Sequence, residues 1–200
     1  EIPLRLVGSE MCIRDRNRLD TKAQQEKLQY LSYRDALTNL YNRNRYMDVL
    51  ESYGQNKGQL IRNVGIIYMD LNELKKVNDE QGHEAGDSYI RRAAQQIVAV
   101  FPEHTYRIGG DEFVVLYPEI EQTEFEYFVS QLQKNAKEHQ VNISYGVVWK
   151  EICENLEELI TEADKKMYED KKLYYSNTKH NRRGQIERNS LLFTAEKKVM

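Results

Sequence analysis

Two adjacent carboxylates directly follow two adjacent glycines in the run Gly109-Gly110-Asp111-Glu112-Phe113. Strand-like residues flank the run, at 105–108 before it and 113–117 after it. Such a glycine pair is typical of a tight hairpin turn, because both residues tolerate positive φ. A turn without side chains lets a bulky ligand approach the backbone, and neighbouring acids hold hard cations. The run therefore predicts a site for a nucleotide triphosphate with Mg²⁺.

A third carboxylate, Asp70, directly follows the apolar run at residues 64–69, which predicts a buried strand. Alternating strands and helices tend to place ligands at the sheet edge where such a strand ends. A short helix is predicted to follow over residues 73–79, and its first N–H groups and positive dipole end suit phosphate oxygens. Lys75 adds positive charge at the same place.

Two polar residues, Asn78 and Asp87, bracket a stretch with two glycines that predicts a turn over residues 82–86. A carboxylate such as Asp87 accepts hydrogen bonds from N1–H and N2–H₂ of guanine. Adenine has an acceptor at N1, so the same carboxylate would be left unpaired, which is a strong source of discrimination. This part of the chain therefore favours a guanine nucleotide over an adenine nucleotide.

The helices and strands of an α/β fold must position these residues. We expect strands at residues 64–69, 106–117 (a hairpin) and 141–149, and helices ending near residue 52 and spanning 73–79, 122–138 and 156–174, with a long helix opening at Asp87. Helices alternating with strands around one hairpin predict a ferredoxin-like α/β sandwich with a mostly antiparallel central sheet flanked by helices. The hairpin excludes a doubly wound sheet, because its strands have no helical crossover.

The chain resembles the GGDEF family, the diguanylate cyclases, over about residues 33–174. Besides the runs at 109–113 and 68–87, the resemblance rests on Asp35-Ala-Leu-Thr38, on Ile-Ser-Tyr-Gly-Val at 143–147, and on Ala163, Asp164, Met167, Tyr168 and Lys171. It implies that two GTP molecules are condensed into cyclic di-GMP with release of pyrophosphate. It also implies two Mg²⁺ or Mn²⁺ ions per active site, and a homodimer whose protomers share that site.

The resemblance implies a role for each matching residue. Asp70 and Glu112 would bind metal together with the Leu71 carbonyl, and Asp111 would bind metal or take the proton from a ribose 3′-OH. The remaining roles concern the nucleotide: Gly109 and Gly110 would admit the triphosphate, Lys75 and Lys171 would contact phosphates, and Asn78 and Asp87 would read guanine.

Three single residues and one four-residue stretch depart from the family pattern. Asn39 replaces a frequent glycine, and Asn72 replaces a frequent aspartate that is not a principal metal ligand. Tyr175 stands where many members have a phosphate-binding arginine, which puts contacts on the pyrophosphate side in question. Residues 100–103, Val-Phe-Pro-Glu, stand where the family's Arg-x-x-Asp product-inhibition motif would be, so we predict no feedback inhibition there.

Composition and local sequence predict the domain organisation. Residues 1–16 resemble a translated sequencing adapter, 17–32 predict a signalling or dimerising helix below a missing upstream sensor, 33–175 form the catalytic domain, and 176–200 form a mostly disordered polar tail. Setting the adapter aside leaves Cys153 as the single cysteine, which fits a reducing cytoplasm. The net charge of -3 gives no reason to expect nucleic-acid binding, and no apolar run reaches membrane-spanning length.

Two other functions stay open at this point. A degenerate GTP-binding module that regulates a partner is favoured by Tyr175 and opposed by the presence of Asp70, Asp111 and Glu112. A related nucleotidyl transferase that makes another cyclic dinucleotide is opposed only by Asp87. His83 is interpreted as a turn residue with no catalytic role.

Overall fold

The computed structural model of the chain describes residues 32–55 and 60–196, with Gln55 and residues 178–196 described by their backbone alone. The strands are β1 (Tyr41–Asn42), β2 (Ile61–Leu71), β3 (Thr105–Arg107), β4 (Glu112–Tyr117) and β5 (Ile143–Cys153). The helices are α1 (Arg43–Gln55), α2 (Leu74–Gln81), α3 (His83–Val100), α4 (Gln122–Glu138) and α5 (Leu156–Glu196). Residues 1–31, 56–59 and 197–200 lie outside this description, and with them the predicted adapter segment and almost all of the predicted upstream helix.

The strands form one five-stranded sheet in the order β1-β3-β4-β2-β5. β1 pairs in parallel with β3, and every other pairing is antiparallel. The expected mostly antiparallel sheet flanked by helices is therefore confirmed, and the hairpin is formed by β3 and β4. The long central strand β2 pairs with β4 on one side and with β5 on the other over most of its length. The carboxyl end of β2 is therefore held on both sides.

Two hydrophobic cores lie on opposite faces of the sheet. On one face, Ile67 and Met69 of β2 are buried together with Ile97 of α3 and Phe125 of α4. On the other face, Ile66 of β2 packs with Val114, Leu116, Tyr46 of α1, and Leu159 and Ala163 of α5. The sheet is thus sandwiched between two layers of helices, which supplies each face with an apolar partner.

Strand alternation decides which face receives the acids. Successive residues of a strand point to opposite faces, so Asp70 shares its face with Ile66, and Glu112 shares its face with Val114. The two acids therefore lie on the same face of the sheet, the one that α1 and α5 cover. The two carboxylates therefore lie on the side of the sheet from which α5 can contribute residues.

Helix α5 lies unusually close to the sheet at Gly146. A Cβ at this position would lie 1.8 Å from the carbonyl oxygen of Ala163 and 2.5 Å from the nitrogen of Met167. No side chain fits in that space, so the glycine is what permits the close approach. One turn further along, the Asp170 carboxylate accepts a hydrogen bond from the backbone N–H of Tyr145 at 3.0 Å, which fixes the position of α5 beside β5.

Two helix boundaries differ from the sequence prediction by a full turn or more. Helix α3 begins at His83 and not at Asp87, so most of the turn predicted over residues 82–86 is helical. Gly82 alone provides the break, with φ of 85°, and the Gly82 N–H closes α2 by donating to the Asn78 carbonyl at 2.9 Å. Two glycines close together suggested a longer loop than this single left-handed position requires.

The final helix is the second difference. α5 continues through Glu196, beyond the predicted end at Tyr174, so the backbone is helical where the sequence predicted a mostly disordered tail. Between residues 175 and 196 the sequence has one glycine and no proline, and it includes three Arg, two Glu, two Leu and one Gln. These residues have high helix propensity, so a polar, weakly periodic segment can continue an existing helix without a core of its own.

Candidate active site at the end of the central strands

The ends of β2 and β4 bring two of the predicted acids together. Asp70 is directly opposite Glu112 in the β2–β4 register, and it is opposite Ser144 in the β2–β5 register. Directly opposed residues on antiparallel strands have Cβ atoms about 5 Å apart, so the two carboxylates lie side by side on the α5 face. Asp111 adjoins them in sequence, and its carbonyl accepts a hydrogen bond from the Leu71 N–H at 3.0 Å.

Burial and mutual repulsion disfavour the charges of these acids. Burial, opposed by the hydrogen bond from Lys171 and supplemented by the charge of Asp111, raises the pKa of Asp70. The pKa of Glu112 is raised by burial first, and then by the charges of Asp111 and Asp70. A cation placed between these carboxylates would relieve both effects, which is the electrostatic condition that a metal site requires.

Lys171 already supplies one such cation. Its Nζ donates to Oδ1 of Asp70 at 2.6 Å, with the lysine side chain 29% exposed and the aspartate side chain 8% exposed. Burial would lower the pKa of Lys171, but the hydrogen bond and the charge of Asp70 outweigh it and raise the pKa. The residue predicted to contact phosphate therefore contacts a predicted metal ligand in this structure.

The turn that bears Asp111 is held by an arginine that the sequence analysis did not select. Arg107, at the end of β3, donates to the Gly110 carbonyl at 2.8 Å and to Oδ1 of Asp35 at 2.8 Å. Asp35 also accepts from the Thr38 N–H at 2.9 Å and the Thr38 hydroxyl at 2.7 Å. The block at residues 35–38 and the acidic turn are therefore joined through one guanidinium group.

The glycines of the turn are needed for space and not for positive φ. Among the described glycines only Gly82 has positive φ, so the conformational reason given for Gly109 and Gly110 was wrong. A Cβ at Gly109 would lie 2.5 Å from Oε2 of Glu112, whereas a Cβ at Gly110 would meet nothing within 4 Å. Gly109 thus makes room for the Glu112 carboxylate, and Gly110 leaves the turn open to solvent.

The Asn72 side chain is bound to Ser144, the cross-strand neighbour of Asp70. It is fully buried, and its amide exchanges hydrogen bonds with the Ser144 hydroxyl at 2.9 and 3.2 Å. Its carbonyl accepts from the Tyr89 hydroxyl at 3.3 Å, and its N–H donates to the Asn142 carbonyl at 2.9 Å. These contacts give Asn72 a structural role at the end of β2.

The residues predicted to read guanine lie together where α2 packs on α3. A Cβ at Gly86 would lie 1.9 Å from Oδ1 of Asn78, so the Asn78 amide rests directly on the backbone beside Asp87. Asn78 and Asp87 are both half-buried, and Lys75 is exposed in the first turn of α2. The structure thus groups the two polar residues on one surface, with the lysine one turn away from Asn78.

Two tyrosines of α5 occupy the approach to α2. The Glu73 N–H, immediately before the helix, donates to the Tyr175 hydroxyl at 3.1 Å. Glu73 has φ of 64°, and burial together with the charge of Glu73 and a hydrogen bond to it raises the pKa of Tyr174 to about 12. The residue in place of the family's arginine therefore engages a backbone donor at the end where phosphate oxygens are expected.

The donor set suits a magnesium ion that also binds its substrate. Within the described ranges, no three Asp, Glu, His or Cys side chains are grouped so that they could enclose a metal by themselves. Mg²⁺ does not need such a cage, because it usually keeps waters and takes one or two carboxylates plus substrate phosphates. The opposed pair Asp70 and Glu112 fits that requirement.

Comparison with known proteins agrees with this geometry. The family model described as "Diguanylate cyclase, GGDEF domain" matches residues 32–176. The chain belongs to the GGDEF family. It is 33% identical over 144 residues to the diguanylate cyclase DgcS of Shewanella oneidensis, a match that covers 68% of this chain and 49% of DgcS. It is 36% identical over 114 residues to the cyclic di-GMP phosphodiesterase PdeR of Escherichia coli, covering 54% of this chain and 16% of PdeR.

A solved structure shows the same fold. The coiled coil and GGDEF domain of DgcB from Caulobacter crescentus, in complex with c-di-GMP, superposes with a TM-score of 0.68 at 19% identity, covering 83% of this chain and 94% of that one. The chain spans no more than about half the length of the two curated relatives named above. None of the helices that the structure describes combines the length and apolar character needed to cross a membrane.

The residues that hold the acidic turn of this GGDEF domain are not evident from its sequence. Arg107 lies two residues before the signature, and Asp35 precedes Thr38 by the spacing typical of a side-chain-capped turn. That pattern predicts a local turn, but it does not show that the turn binds Arg107, which is 72 residues away. Asn39 is easier to explain, because its φ of 60° lies in the region that glycine and asparagine adopt most readily.

Proposed function

We propose that this GGDEF domain is an active diguanylate cyclase that joins two GTP molecules into cyclic di-GMP and releases two pyrophosphates. The observation that supports this most is the placement of Asp70 directly opposite Glu112, with Asp111 in the adjoining turn. Families of this kind include members that lack activity, and loss of these acids is the usual route to that state. All three acids are present here, where β2 ends and β4 begins.

Each residue then has a defined task. Asp70 and Glu112 provide ionised oxygens for Mg²⁺ or Mn²⁺, which when bound would lower the charge on the phosphates and acidify the attacking hydroxyl. Asp111 accepts the proton of the ribose 3′-OH or completes the metal site. Gly110 leaves the turn open to the triphosphate, since a Cβ there has no neighbour within 4 Å.

The nucleotide is held on the side of α2 and α3. The start of α2 and the exposed Lys75 face the phosphates, and Asp87 with Asn78 accepts and donates hydrogen bonds at the guanine edge. One domain holds one GTP, so the proposed active form is a homodimer in which two domains face each other. Because GTP is the substrate, we propose that the domain works in the cytoplasm, under an upstream sensory segment.

A second candidate is supported by a specific contact. The Tyr175 hydroxyl accepts a hydrogen bond from the Glu73 N–H. Tyr175 stands at the position where the family's arginine would bind phosphate. A domain that binds GTP but positions its triphosphate poorly would act as a nucleotide-dependent regulator of a partner. The distinction between the two candidates is therefore catalytic turnover and not nucleotide binding.

The deciding experiment measures product directly. The chain, dimerised through a fused coiled coil, is incubated with GTP and Mg²⁺, and cyclic di-GMP is detected by mass. Asp70→Asn and Glu112→Gln should each abolish product, whereas Asp48→Asn, at an exposed position of α1, should retain it. GTP binding without product, sensitive to Asp87→Ala, would support the regulatory module. Absence of both product and GTP binding would contradict both candidates.

A further inference from the structure

The ion pair between Lys171 and Asp70 lies at the position where the proposed function requires a divalent cation. The ammonium group is 2.6 Å from Oδ1 of Asp70, on the strand face that also presents Glu112. Ammonium and Mg²⁺ satisfy the same need of a buried carboxylate, which is positive charge at short distance. The ammonium and a metal ion therefore cannot both bind Oδ1 of Asp70 at this position at the same time.

The backbone of Lys171 is held in place, and its side chain is long and partly exposed. Gly146 lets α5 approach the sheet, and Asp170, the preceding residue, is bound to the Tyr145 N–H. Met167, one turn earlier, is buried. These contacts place the start of the Lys171 side chain next to the site, while its four-carbon stem and partial exposure allow the ammonium to take another position nearby.

A second destination for the ammonium lies close by. Tyr175, one turn further along α5, contacts the backbone directly before α2, where the triphosphate is proposed to bind. Residues four apart on a helix are neighbours on one face, so Lys171 lies between the acids and the start of α2. The side chain is therefore within reach of both a metal ligand and the phosphates.

We propose that Lys171 competes with the divalent cation for Asp70, and that its transfer from Asp70 to the nucleotide phosphates couples metal binding to nucleotide binding. This inference rests on the proposed function, since it assumes that Asp70 is a metal ligand and that a triphosphate binds beside it. Metal alone must displace the ammonium without supplying a new anion for it. Metal together with nucleotide displaces the same ammonium toward the phosphates, so each ligand strengthens the binding of the other.

The test measures metal binding without turnover. Mn²⁺ affinity is determined from the free-ion EPR signal at neutral pH, with and without a GTP analogue that cannot cyclise. Lys171→Met keeps the apolar stem and removes the charge. It should raise the affinity for Mn²⁺ alone by about tenfold or more, and it should reduce the enhancement of Mn²⁺ binding by the analogue.

Lys172→Met is the matched control, because it removes the same charge from the same helix. Lys172 stacks its ammonium over the Tyr168 ring at 4.2 Å and does not contact Asp70. This variant should leave Mn²⁺ affinity unchanged. Lys171→Gln provides a second neutral replacement, and thermal unfolding establishes that each variant is folded.

The outcomes separate the inference from the proposed function. If Lys171→Met leaves Mn²⁺ affinity unchanged or weakens it, the competition is wrong, although the protein can still produce cyclic di-GMP. If both lysine variants raise the affinity equally, the effect is long-range charge and the competition is again wrong. If neither the wild type nor Lys171→Met binds Mn²⁺ even with the analogue, the metal site fails, and the proposed function fails with it.

Discussion

Two carboxylate–cation pairs in this domain have nearly the same length, but the pKa of the carboxylate is lowered in one pair and raised in the other. Asp35 and Arg107 approach to 2.8 Å, and Asp70 and Lys171 approach to 2.6 Å. Burial acts to raise the pKa of Asp35, but hydrogen bonds from Thr38 and Arg107 outweigh it and lower the pKa. At Asp70 burial prevails over the lysine, so the pKa is raised.

The difference arises from the neighbours of each pair. Asp35 is surrounded by donors, namely the Thr38 backbone, the Thr38 hydroxyl and the guanidinium of Arg107. Asp70 has one donor and is influenced by the charge of Asp111, with Glu112 directly opposite. The first arrangement stabilises the fold, whereas the second keeps excess negative charge where a ligand can neutralise it. A short ion pair alone therefore does not distinguish a structural contact from a functional one.

The largest effect that tests this comparison should follow removal of the structural cation. Arg107→Met leaves Asp35 without its charged partner and the Gly110 carbonyl without its donor. We expect the free energy of unfolding to fall by about 2–4 kcal/mol, because charged hydrogen bonds are lost at a largely buried side chain. Urea unfolding followed by the fluorescence of Trp149, the single tryptophan, measures this change. Arg91→Met, at an exposed position of α3, is the control. An equal loss of unfolding free energy in this variant would show that Arg107 is not a special structural contact.

A matched pair of carboxylate changes should have a smaller and asymmetric effect. Asp35→Asn weakens the bonds from Thr38 and Arg107 and should lower the free energy of unfolding by about 1–2 kcal/mol. Asp70→Asn removes an unfavourably buried charge as well as an ion pair, so its effect should stay within about 0.5 kcal/mol of zero or be stabilising. The same urea measurement at neutral pH compares the two variants. Equal destabilisation by both would show that Asp70 is also a structural contact.

The free energy of unfolding should depend on pH in opposite ways at the two sites. Because the pKa values of Asp70 and Glu112 are raised in the fold, the folded state binds their protons more tightly than the unfolded state does. The stability of the wild type should therefore decline, relative to an Asp70→Asn, Glu112→Gln double variant, as pH rises through the unfolded and then the folded pKa values. Urea unfolding between about pH 4 and pH 7 should show a gap that opens with pH and reaches about 1 kcal/mol.

The opposite sign applies to Asp35. Its lowered pKa gives a contribution to stability that is complete above the unfolded pKa and is lost as pH falls through the folded one. The gap between wild type and Asp35→Asn should thus close only under more acidic conditions. A gap for the double variant that does not change with pH would contradict the assignment of unfavourable charge to the site.

The smallest effect should be seen at Tyr175, which extends the functional region along α5. Tyr175→Arg frees the Glu73 N–H and adds a cation, and it should tighten binding of a non-cyclisable GTP analogue by about threefold, or ~0.7 kcal/mol. Tyr175→Phe frees the N–H without adding charge and is the matched control. Stability should change little in either variant, since this side chain is 37% exposed. Weaker binding by the arginine variant would show that the tyrosine hydroxyl contributes to nucleotide binding.

Much of the fold could be predicted because local patterns agreed with it. Apolar residues at 64–69 predicted the core of β2, and the residues of 122–138 predicted α4 with the bounds that the structure has. Glycine was less informative, since pairs of glycines at 82–86 and 109–110 suggested flexible turns. Among the glycines that the structure describes, only Gly82 adopts positive φ, while Gly86 and Gly109 make room for the side chains of Asn78 and Glu112. A sequence does not reveal which neighbour occupies that space.

The sequence by itself determined the family, the order of the elements and the identity of the three acids, because these depend on residue type and spacing along the chain. Only the tertiary structure decided which side chains meet. The contact of Lys171 with Asp70 spans 101 residues, and the contact of Tyr175 with Glu73 spans 102. Both depend on how closely α5 packs against β5 at Gly146. Electrostatic energy depends on distance and burial, which only the folded chain defines, so one lysine and one tyrosine acquire partners that their places in the sequence do not disclose.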